Sequence, residues 1–357
     1  MHTLLQKYKD FLPAAEIEQF ISLGEGATPL VKSENLSNKG ELYFKMEQLN
    51  PTGSFKDRFA ALETALIKQA GIETFIATSS GNTGSALAAY SAKHGLRCLL
   101  FVNEIAPVPK LKQMLAYGAE VYRVKDFGVT NELSAPIFKR LQDLAAESGT
   151  RLVISAYKYS PDGMEGVKTI GYELVEQLGE VPENIFVPVG GGGLLSGIRR
   201  AFEDLKERKL IENLPKINGV QPELNDTIVT SWLQNADKAQ QIETTTSISG
   251  LAVQVDIDAT LALNAVKATG GCAISVTDEE IYSAQRMLAT KEGVYAEPAG
   301  AASVAGYLKA LVNGTVGETG KNVCILTGHG LKDTSVSTHQ EIRDIDASFL
   351  THELIAN

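Results

Sequence analysis

The sequence predicts an α/β fold built from two interwoven domains with mostly parallel sheets. Short runs rich in β-branched and aromatic residues recur along the chain, and helical patterns separate them. Strand–helix alternation of this kind is typical of parallel sheets. The length of 357 residues leaves room for two domains, given the usual size of a single hydrophobic core. Because no stretch rich in Pro, Gly or Ser divides the chain, we expect the domains to exchange segments.

The predicted strands set the domain boundaries. We predict a small domain over residues 58–156 and a large domain from residues 1–57 and 157–357. In α/β sheets, ligands bind where strands end and helices begin, so four such junctions carry the functional prediction. The strands are predicted from the runs ELYFKM (41–46), ETFIAT (73–78), LRCLLFV (96–102), EVYRV (120–124), RLVISA (151–156), ENIFVPV (183–189) and NVCILT (322–327).

Composition narrows the classes of function. The chain has 33 basic and 43 acidic residues, a net charge of −10, which argues against nucleic-acid or anionic-membrane binding because both need clustered Lys and Arg. Cys98, Cys272 and Cys324 are far apart, so we expect three buried free thiols in a reducing compartment. The sequence has neither a signal-peptide core nor an apolar run of about 20 residues. We therefore expect a soluble cytoplasmic protein.

The first junction is NPTGSFKDR, residues 50–58. Ser54 and Asp57 have a capping-box-like spacing and predict the start of a helix that ends at residue 71. Lys56 then lies in the first helical turn, where the helix dipole disfavours a cation. If Lys56 is also partly desolvated, its pKa falls and its amine becomes a usable nucleophile. A solvated lysine on the surface is the alternative interpretation.

Two further junctions are suited to bind anions. The turn Ser79–Thr83 presents hydroxyls and amides at a helix start, where a carboxylate or phosphate binds well; plain helix capping by Ser80 or Asn82 is the alternative. Four consecutive glycines, Gly190 to Gly193, let the backbone approach an anion closely. Since this loop contains no Lys or Arg, it would bind a phosphate through neutral amides. The loop matches neither of the common glycine motifs for nucleotides.

The fourth junction follows the strand predicted over 322–327, with Thr327 at the strand end and His329 in a glycine turn. A lone histidine in such a turn is more often structural than a metal ligand, and we predict no metal site. One explanation covers all four junctions, which supply an amine nucleophile, an anion-binding turn, a neutral phosphate site and a hydroxyl at a strand end. Pyridoxal phosphate (PLP) needs a lysine, a phosphate site and a partner for its ring nitrogen.

Six motifs, in order, resemble those of the β-family, or fold type II, of PLP enzymes, whose fold is like that of the tryptophan synthase β subunit. They are LGEGATPL, NPTGSFKDR, SSGNTG, GGGGLLSG, EPAGAAS and TGHGLKD, and they span residues 23–333. Within the family the chain is most similar to the threonine synthases, notably in SLGEGATPL and VTDEEIYSAQRMLATKEGVYAEPAGAASVAG. The resemblance implies that the large domain binds PLP, that the protein is a homodimer, and that it is a lyase of amino-acid metabolism in threonine biosynthesis.

The resemblance also implies roles for individual residues. Lys56 would form a Schiff base with the cofactor and move protons at the substrate Cα, and Thr327 would face the pyridine nitrogen. A neutral Thr327 would not keep that nitrogen protonated, which suits elimination and replacement more than transamination. The implied set is Lys56 and Ser80 for catalysis, Lys56, Asn82, Gly190, Gly191, Gly192, Gly193, Leu194 and Thr327 for the cofactor, and Ser79, Ser80 and Thr83 for the substrate carboxylate.

The chain departs from the threonine synthases at one position that matters for the substrate. In SPDGMEGVKT, Gly163 stands where those enzymes have an arginine that binds the substrate phosphate. Arginine matches phosphate geometry through two parallel hydrogen bonds. Lys158, just upstream, is the candidate replacement, as a point charge. The loop GGGGLLSGI and Ser80 are more similar to serine/threonine dehydratases and serine racemase, in which a serine of that turn is a second acid or base.

Three functions follow from the sequence. The favoured one releases phosphate from O-phospho-L-homoserine and adds water to give L-threonine. The alternative is β-elimination or β-replacement on a serine-like amino acid, as in serine/threonine ammonia-lyases and cysteine or cysteate synthases. A non-catalytic PLP-binding protein is the remote third. Glu297 and Ser303 belong to a family motif near the cofactor, but no role for either follows from the residues.

Overall fold

The structure is a computed structural model that describes residues 3–14, 17, 21–36, 40–106, 108–317 and 319–333. The helices are α1 (Leu4–Lys7), α2 (Lys56–Gln69), α3 (Asn82–His94), α4 (Val108–Ala116), α5 (Asn131–Glu147), α6 (Pro161–Met164), α7 (Thr169–Leu178), α8 (Gly193–Glu207), α9 (Val229–Leu233), α10 (Ala259–Ala268), α11 (Asp278–Glu292) and α12 (Pro298–Val312). The strands are β1 (Leu30–Lys32), β2 (Glu41–Lys45), β3 (Thr74–Ala77), β4 (Arg97–Val102), β5 (Glu120–Arg123), β6 (Leu152–Val153), β7 (Asn184–Pro188), β8 (Lys216–Pro222), β9 (Ala273–Val276) and β10 (Lys321–Ile325).

Two sheets organise the chain. The larger has the strand order β1-β2-β10-β7-β8-β9, and the smaller has the order β5-β4-β3-β6. The antiparallel pair β1–β2 is at one edge, and the other pairs are parallel. The larger sheet takes strands from both ends of the chain, and the smaller is formed by residues 74–153. The predicted α/β class with mostly parallel sheets is confirmed.

The exact domain boundaries remain a prediction. The smaller sheet falls within the predicted small domain, 58–156, but the largest apolar core takes buried residues from both sheets and from α2, α3 and α8. Residues 334–357 of the predicted large domain lie outside the described part of the chain. Within that described part, no helix has the length and apolar character needed to cross a membrane.

All seven predicted strands are present, although RLVISA contributes only the two residues of β6. The prediction omitted β1, β8 and β9. Cys98 and Cys324 are buried, as expected, but Cys272 is partly exposed, so the prediction of three buried thiols is wrong at that position.

The predicted capping box at the start of α2 is wrong. The N-cap position is Phe55, and no side chain caps it. The Ser54 hydroxyl is buried without a hydrogen-bond partner, while the Ser54 backbone pairs with Gly328. The Asp57 carboxylate instead accepts hydrogen bonds from the amide and the hydroxyl of Thr52. It therefore closes the preceding turn rather than the helix end.

Candidate active site

A cavity of about 1080 Å³ opens at the carboxyl ends of strands from both sheets. Its walls come from the segments that follow β2, β3, β6, β7 and β10, as expected where parallel strands end. The cavity brings together nearly all the predicted site residues, which are Lys56, Ser79, Ser80, Asn82, Thr83, Gly190, Gly191, Gly192, Gly193, Leu194 and Thr327.

Lys56 is the first residue of α2 and points into the cavity. Its place is fixed by the segment that follows β10, because the Phe55 amide donates to the Thr327 carbonyl at 3.0 Å. Burial lowers the pKa of the Lys56 amine to about 8, although the charges of Asp258 and Glu297 oppose this shift. Desolvation is the main cause, whereas the sequence argument gave the helix dipole the leading role. At this pKa a substantial fraction of the amine is neutral near physiological pH.

The Lys56 ammonium donates to the Ser155 hydroxyl at 2.7 Å. Ser155 Oγ also lies 2.7 Å from Thr83 Oγ1. Three side chains from the segments after β2, β3 and β6 therefore form one hydrogen-bonded chain. Thr83 is in the first turn of α3, so this chain connects the amine to the predicted anion-binding turn.

The two sides of the cavity are joined by Glu297, the N-cap residue of α12. Asn82 Nδ2 lies 3.1 Å from each Glu297 carboxylate oxygen, and the Thr327 hydroxyl donates to Glu297 Oε1 at 3.3 Å. Burial raises the pKa of Glu297, against these two hydrogen bonds. Glu297 thereby fixes two predicted cofactor ligands relative to each other. Ser303 lies deeper, where its hydroxyl donates to the Gly300 and Ile325 carbonyls.

The glycine loop needs glycine for two different reasons. Gly192 has φ 98°, and a Cβ there would lie 2.4 Å from the Asp258 carbonyl oxygen; both features exclude a side chain. Gly191 has no heavy atom within 4 Å of its Cβ position and lines the cavity. The loop then enters α8, whose first amides are free to bind an anion.

These residues fit PLP. The loop presents bare backbone at a helix N-terminus, as a phosphate requires, and a lysine with a lowered pKa shares the same cavity. Among the described residues, no group of three or more His, Cys, Asp or Glu side chains is placed to hold a metal ion. The roles assigned to single residues stay predictions.

Neither Lys158, the candidate for binding the substrate phosphate, nor Gly163, where the threonine synthases have an arginine, lines the cavity. Lys158 is exposed, with its ammonium 5.6 Å from the centre of the Tyr159 ring. Gly163 is buried against α2, and a Cβ there would lie 2.2 Å from Glu63 Oε2. The structure therefore gives no support to Lys158 as the replacement for the missing arginine.

Other lysines do line the cavity. Among the described residues these are Lys56, Lys112 and Lys332. The Lys332 ammonium donates to the Thr52 carbonyl at 2.7 Å and to Gln113 Oε1 at 2.8 Å. Lys112 is an exposed residue of α4, beside Gln113, which leaves its ammonium available to an anionic substrate group.

A buried ion network supports α2 beneath the cavity. Arg58 is fully buried, and its guanidinium donates to Glu47 and Glu173 at 2.7–2.8 Å. Lys45 also donates to Glu173, at 2.6 Å. Although burial alone would raise it, these cations hold the pKa of Glu173 at about 2. The Glu173 carboxylate also accepts from the Ala27 amide, so the network ties the LGEGATPL segment to α2.

Sequence reasoning missed Ser155 and Asp258. Ser155 follows β6 and is thus at a strand end of the kind that supplied the other candidates; the predicted strand extended to residue 156 and hid it. Asp258 precedes α10 and has the appearance of an ordinary helix cap. Their partners are about a hundred positions away in sequence, where no local pattern could reveal them.

Comparison with known proteins agrees with the geometry. The family model described as pyridoxal-phosphate dependent enzyme matches residues 21–328. Threonine synthase of Methanocaldococcus jannaschii is 37% identical over 92% of this chain and 80% of its own length, and that of Halalkalibacterium halodurans is 39% identical over 94% and 91%. The solved serine racemase of Dictyostelium discoideum is 28% identical, with a TM-score of 0.71 over 92% of this chain and 98% of that chain. The chain therefore belongs to the pyridoxal-phosphate dependent enzymes of fold type II.

Proposed function

We propose that this protein is a PLP-dependent lyase of the threonine synthase type, which converts O-phospho-L-homoserine and water to L-threonine and phosphate. The observation that carries the proposal is the cavity, which places the Lys56 amine with a glycine loop and a hydroxyl-rich helix start. The relatives that support the substrate are threonine synthases at 37% and 39% identity over more than nine-tenths of this chain.

The residues divide the work of this reaction. When bound, PLP supplies an electron sink conjugated to the substrate Cα. The α8 N-terminus and its glycine loop bind the cofactor phosphate, and the turn Ser79–Thr83 binds the substrate carboxylate. Lys56, with its pKa of about 8, gives up and takes back a proton near neutral pH. In the net reaction the Cγ–O bond breaks and phosphate leaves with the electron pair, and the leaving phosphate takes up the proton that Cβ releases. Water then supplies a hydroxyl at Cβ and a proton at Cγ.

The test is phosphate release from O-phospho-L-homoserine by the purified, PLP-saturated protein, with L-threonine measured by chromatography. Equal molar amounts of phosphate and threonine are expected. A Lys56→Ala variant is expected to release neither, and borohydride reduction of the wild type is expected to fix the cofactor on the peptide that contains Lys56. Failure to release phosphate with the cofactor fixed on Lys56 would exclude this substrate and leave the cofactor assignment intact.

A second candidate function rests on Ser80. It lines the cavity beside Thr83 and Asn82, where a hydroxyl could act as a second acid or base in β-elimination from a serine-like amino acid. This activity predicts release of a 2-oxo acid and ammonia from L-serine or L-threonine. The PLP-saturated wild type is compared with a Ser80→Ala variant. If the variant loses 2-oxo acid formation but keeps phosphate release from O-phospho-L-homoserine, the 2-oxo acid reaction is assigned to Ser80.

We also propose that the protein is a cytoplasmic homodimer. The three unpaired cysteines support a reducing compartment, and the resemblance to the family supports the dimer. Light scattering coupled to size-exclusion chromatography tests the mass, for which a value near twice 38.3 kDa is expected.

A further inference from the structure

Asp258 occupies the N-cap position of α10, yet its side chain makes no capping hydrogen bond. Its carboxylate reaches a different segment, where it accepts from the Tyr157 amide at 2.7 Å and from the Lys158 amide at 3.1 Å. Aspartate is among the strongest helix-capping residues. Here its carboxylate binds the amides of the 157–158 turn instead of amides at the start of α10.

The same residue holds the glycine loop from behind. The Asp258 amide donates to the Gly191 carbonyl at 2.9 Å. The Cβ position of Gly192 lies 2.4 Å from the Asp258 carbonyl oxygen, and that of Gly193 lies 3.0 Å from Asp258 Oδ2. Asp258 is 1% exposed. It is therefore packed between the loop and the turn that follows Ser155.

Ser155 continues this connection to the reactive amine. Its hydroxyl accepts from Lys56 at 2.7 Å and contacts Thr83 at 2.7 Å, and it lies only two residues before the first amide that Asp258 binds. The Asp258 and Glu297 charges both act on Lys56. In the described part of the chain, no carboxylate forms a salt bridge with that amine: its hydrogen-bond partner is the neutral hydroxyl, and it also lies 4.5 Å from the centre of the Phe55 ring.

We propose that Asp258 is a positioning residue that joins the glycine loop to the turn carrying Ser155, and that Ser155 in turn holds the Lys56 amine in the cavity. Both ends of a bound PLP would depend on this one residue: the phosphate through the loop, which the Asp258 backbone holds, and the reactive amine through Ser155, whose turn the Asp258 carboxylate holds. The inference rests on the proposed function only in taking Lys56 as the reactive amine. It does not depend on which amino acid is the substrate.

Two variants test the side-chain links, because the bond to the loop is made by the Asp258 backbone. Asp258→Asn removes the charge and replaces one acceptor by a donor, so the link to the 157–158 turn weakens. Ser155→Ala removes the contacts to Lys56 and Thr83 and leaves the bonds of Asp258 in place. Asp256→Asn is the matched control, because Asp256 accepts from the amide and hydroxyl of Thr260 at the same helix start and contacts neither the turn nor the loop.

The first readout is the affinity of the full-length chain, freed of cofactor, for PLP and for 4′-deoxypyridoxine 5′-phosphate, which has the phosphate but no aldehyde. Asp258→Asn is expected to weaken PLP by about tenfold, the size of a lost charge-assisted hydrogen bond, and to leave the affinity for the analogue nearly unchanged, because the backbone bond to the loop remains. Ser155→Ala is expected to weaken PLP alone. Asp256→Asn is expected to change neither.

The second readout is the pH dependence with which an amine reagent labels Lys56, followed by peptide mass spectrometry. Loss of the nearby charge in Asp258→Asn is expected to lower the midpoint by about one pH unit, and Ser155→Ala is expected to lower it by less. An unchanged midpoint and an unchanged PLP affinity in Asp258→Asn would overturn the proposal. If that variant does not fold, Ser155→Ala decides: a wild-type midpoint there overturns it too. Neither readout uses O-phospho-L-homoserine, so failure of the proposed reaction is a separate result.

Discussion

Gly163 lies where α6 packs against α2, and its surroundings predict that even one added methyl group destabilises the protein. A Cβ at this position would lie 2.2 Å from Glu63 Oε2, 2.8 Å from Glu63 Cβ and 3.0 Å from Phe59 Cε2. Phe59 is fully buried and Glu63 is 3% exposed. The Glu63 carboxylate can rotate away, but its Cβ and the Phe59 ring cannot move without shifting α2.

The magnitude follows from opposing contributions. Overpacking of a dense core costs about 1–3 kcal/mol, and the smaller freedom of alanine in the unfolded chain returns about 0.4–1 kcal/mol. We therefore expect Gly163→Ala to lower the free energy of unfolding by about 1–2 kcal/mol. Gly163→Arg is expected to cost more and to leave phosphate binding unimproved, since position 163 does not line the cavity and the new guanidinium would meet Glu63.

The assay is urea unfolding followed by circular dichroism, in which the shift of the midpoint reports the change in stability. Gly317→Ala is the matched control, because Gly317 is exposed, has an unstrained φ and has no heavy atom within 4 Å of its Cβ position. A Gly163→Ala midpoint equal to that of the wild type, or above the control, would show that the packing argument is wrong. The absence of arginine would then need a cause other than space.

The remaining predictions concern charge. Lys112→Met is expected to raise the KM for O-phospho-L-homoserine about tenfold with little change in kcat, and Lys112→Arg is expected to keep the wild-type KM. An unchanged KM for Lys112→Met in steady-state phosphate release would show that Lys112 does not bind the substrate. Arg58→Met leaves the buried Glu47 without its ion-pair partner and leaves Glu173 with Lys45 alone. It is expected to cost about 3–5 kcal/mol in urea unfolding, so a loss below about 1 kcal/mol contradicts the network. Burial raises the pKa of Glu63 to about 7, above its ordinary value, so the folded state keeps a proton that the unfolded chain releases. Relative to Glu63→Gln, the wild type is expected to lose up to about 3 kcal/mol as the pH rises from about 4.5 through 7; parallel stability–pH curves would refute this.

Local patterns predicted the strands that are rich in apolar residues, and tertiary contacts explain the strands that were missed. β8 has the sequence KINGVQP, whose Asn, Gly, Gln and Pro argue against an interior strand. In the structure it is buried between β7 and β9. Asn218 accepts from the Cys272 amide at 2.9 Å, and Gln221 accepts from the Ile228 amide and donates to Thr227, each at 2.8 Å. These bonds satisfy polar side chains that composition alone counts against burial.

The candidate site was predictable to the extent that strand ends reveal it. Lys56, the Ser79–Thr83 turn, the glycine loop and Thr327 all follow strands, and short motifs mark each of them. The side chains that hold these ligands in place are different in kind. Glu297 was visible in its motif, but its role depends on Asn82 from the other side of the cavity. Such partners become neighbours only when the two sheets pack together.

In the segment Lys56-Asp57-Arg58, the fold lowers the pKa of one buried cation and raises the pKa of another. The Arg58 guanidinium faces the core beneath α2, where two carboxylates bind it and raise its pKa against the effect of burial. Lys56 faces the cavity, and among the described residues its ammonium has a hydrogen bond only to a neutral hydroxyl. Burial without a contacting carboxylate lowers its pKa to about 8, which gives a nucleophile near neutral pH. A carboxylate placed at Ser155 would pair with the amine, raise its pKa and remove this reactivity. The neutral hydroxyl is therefore as much a condition of the proposed chemistry as the lysine.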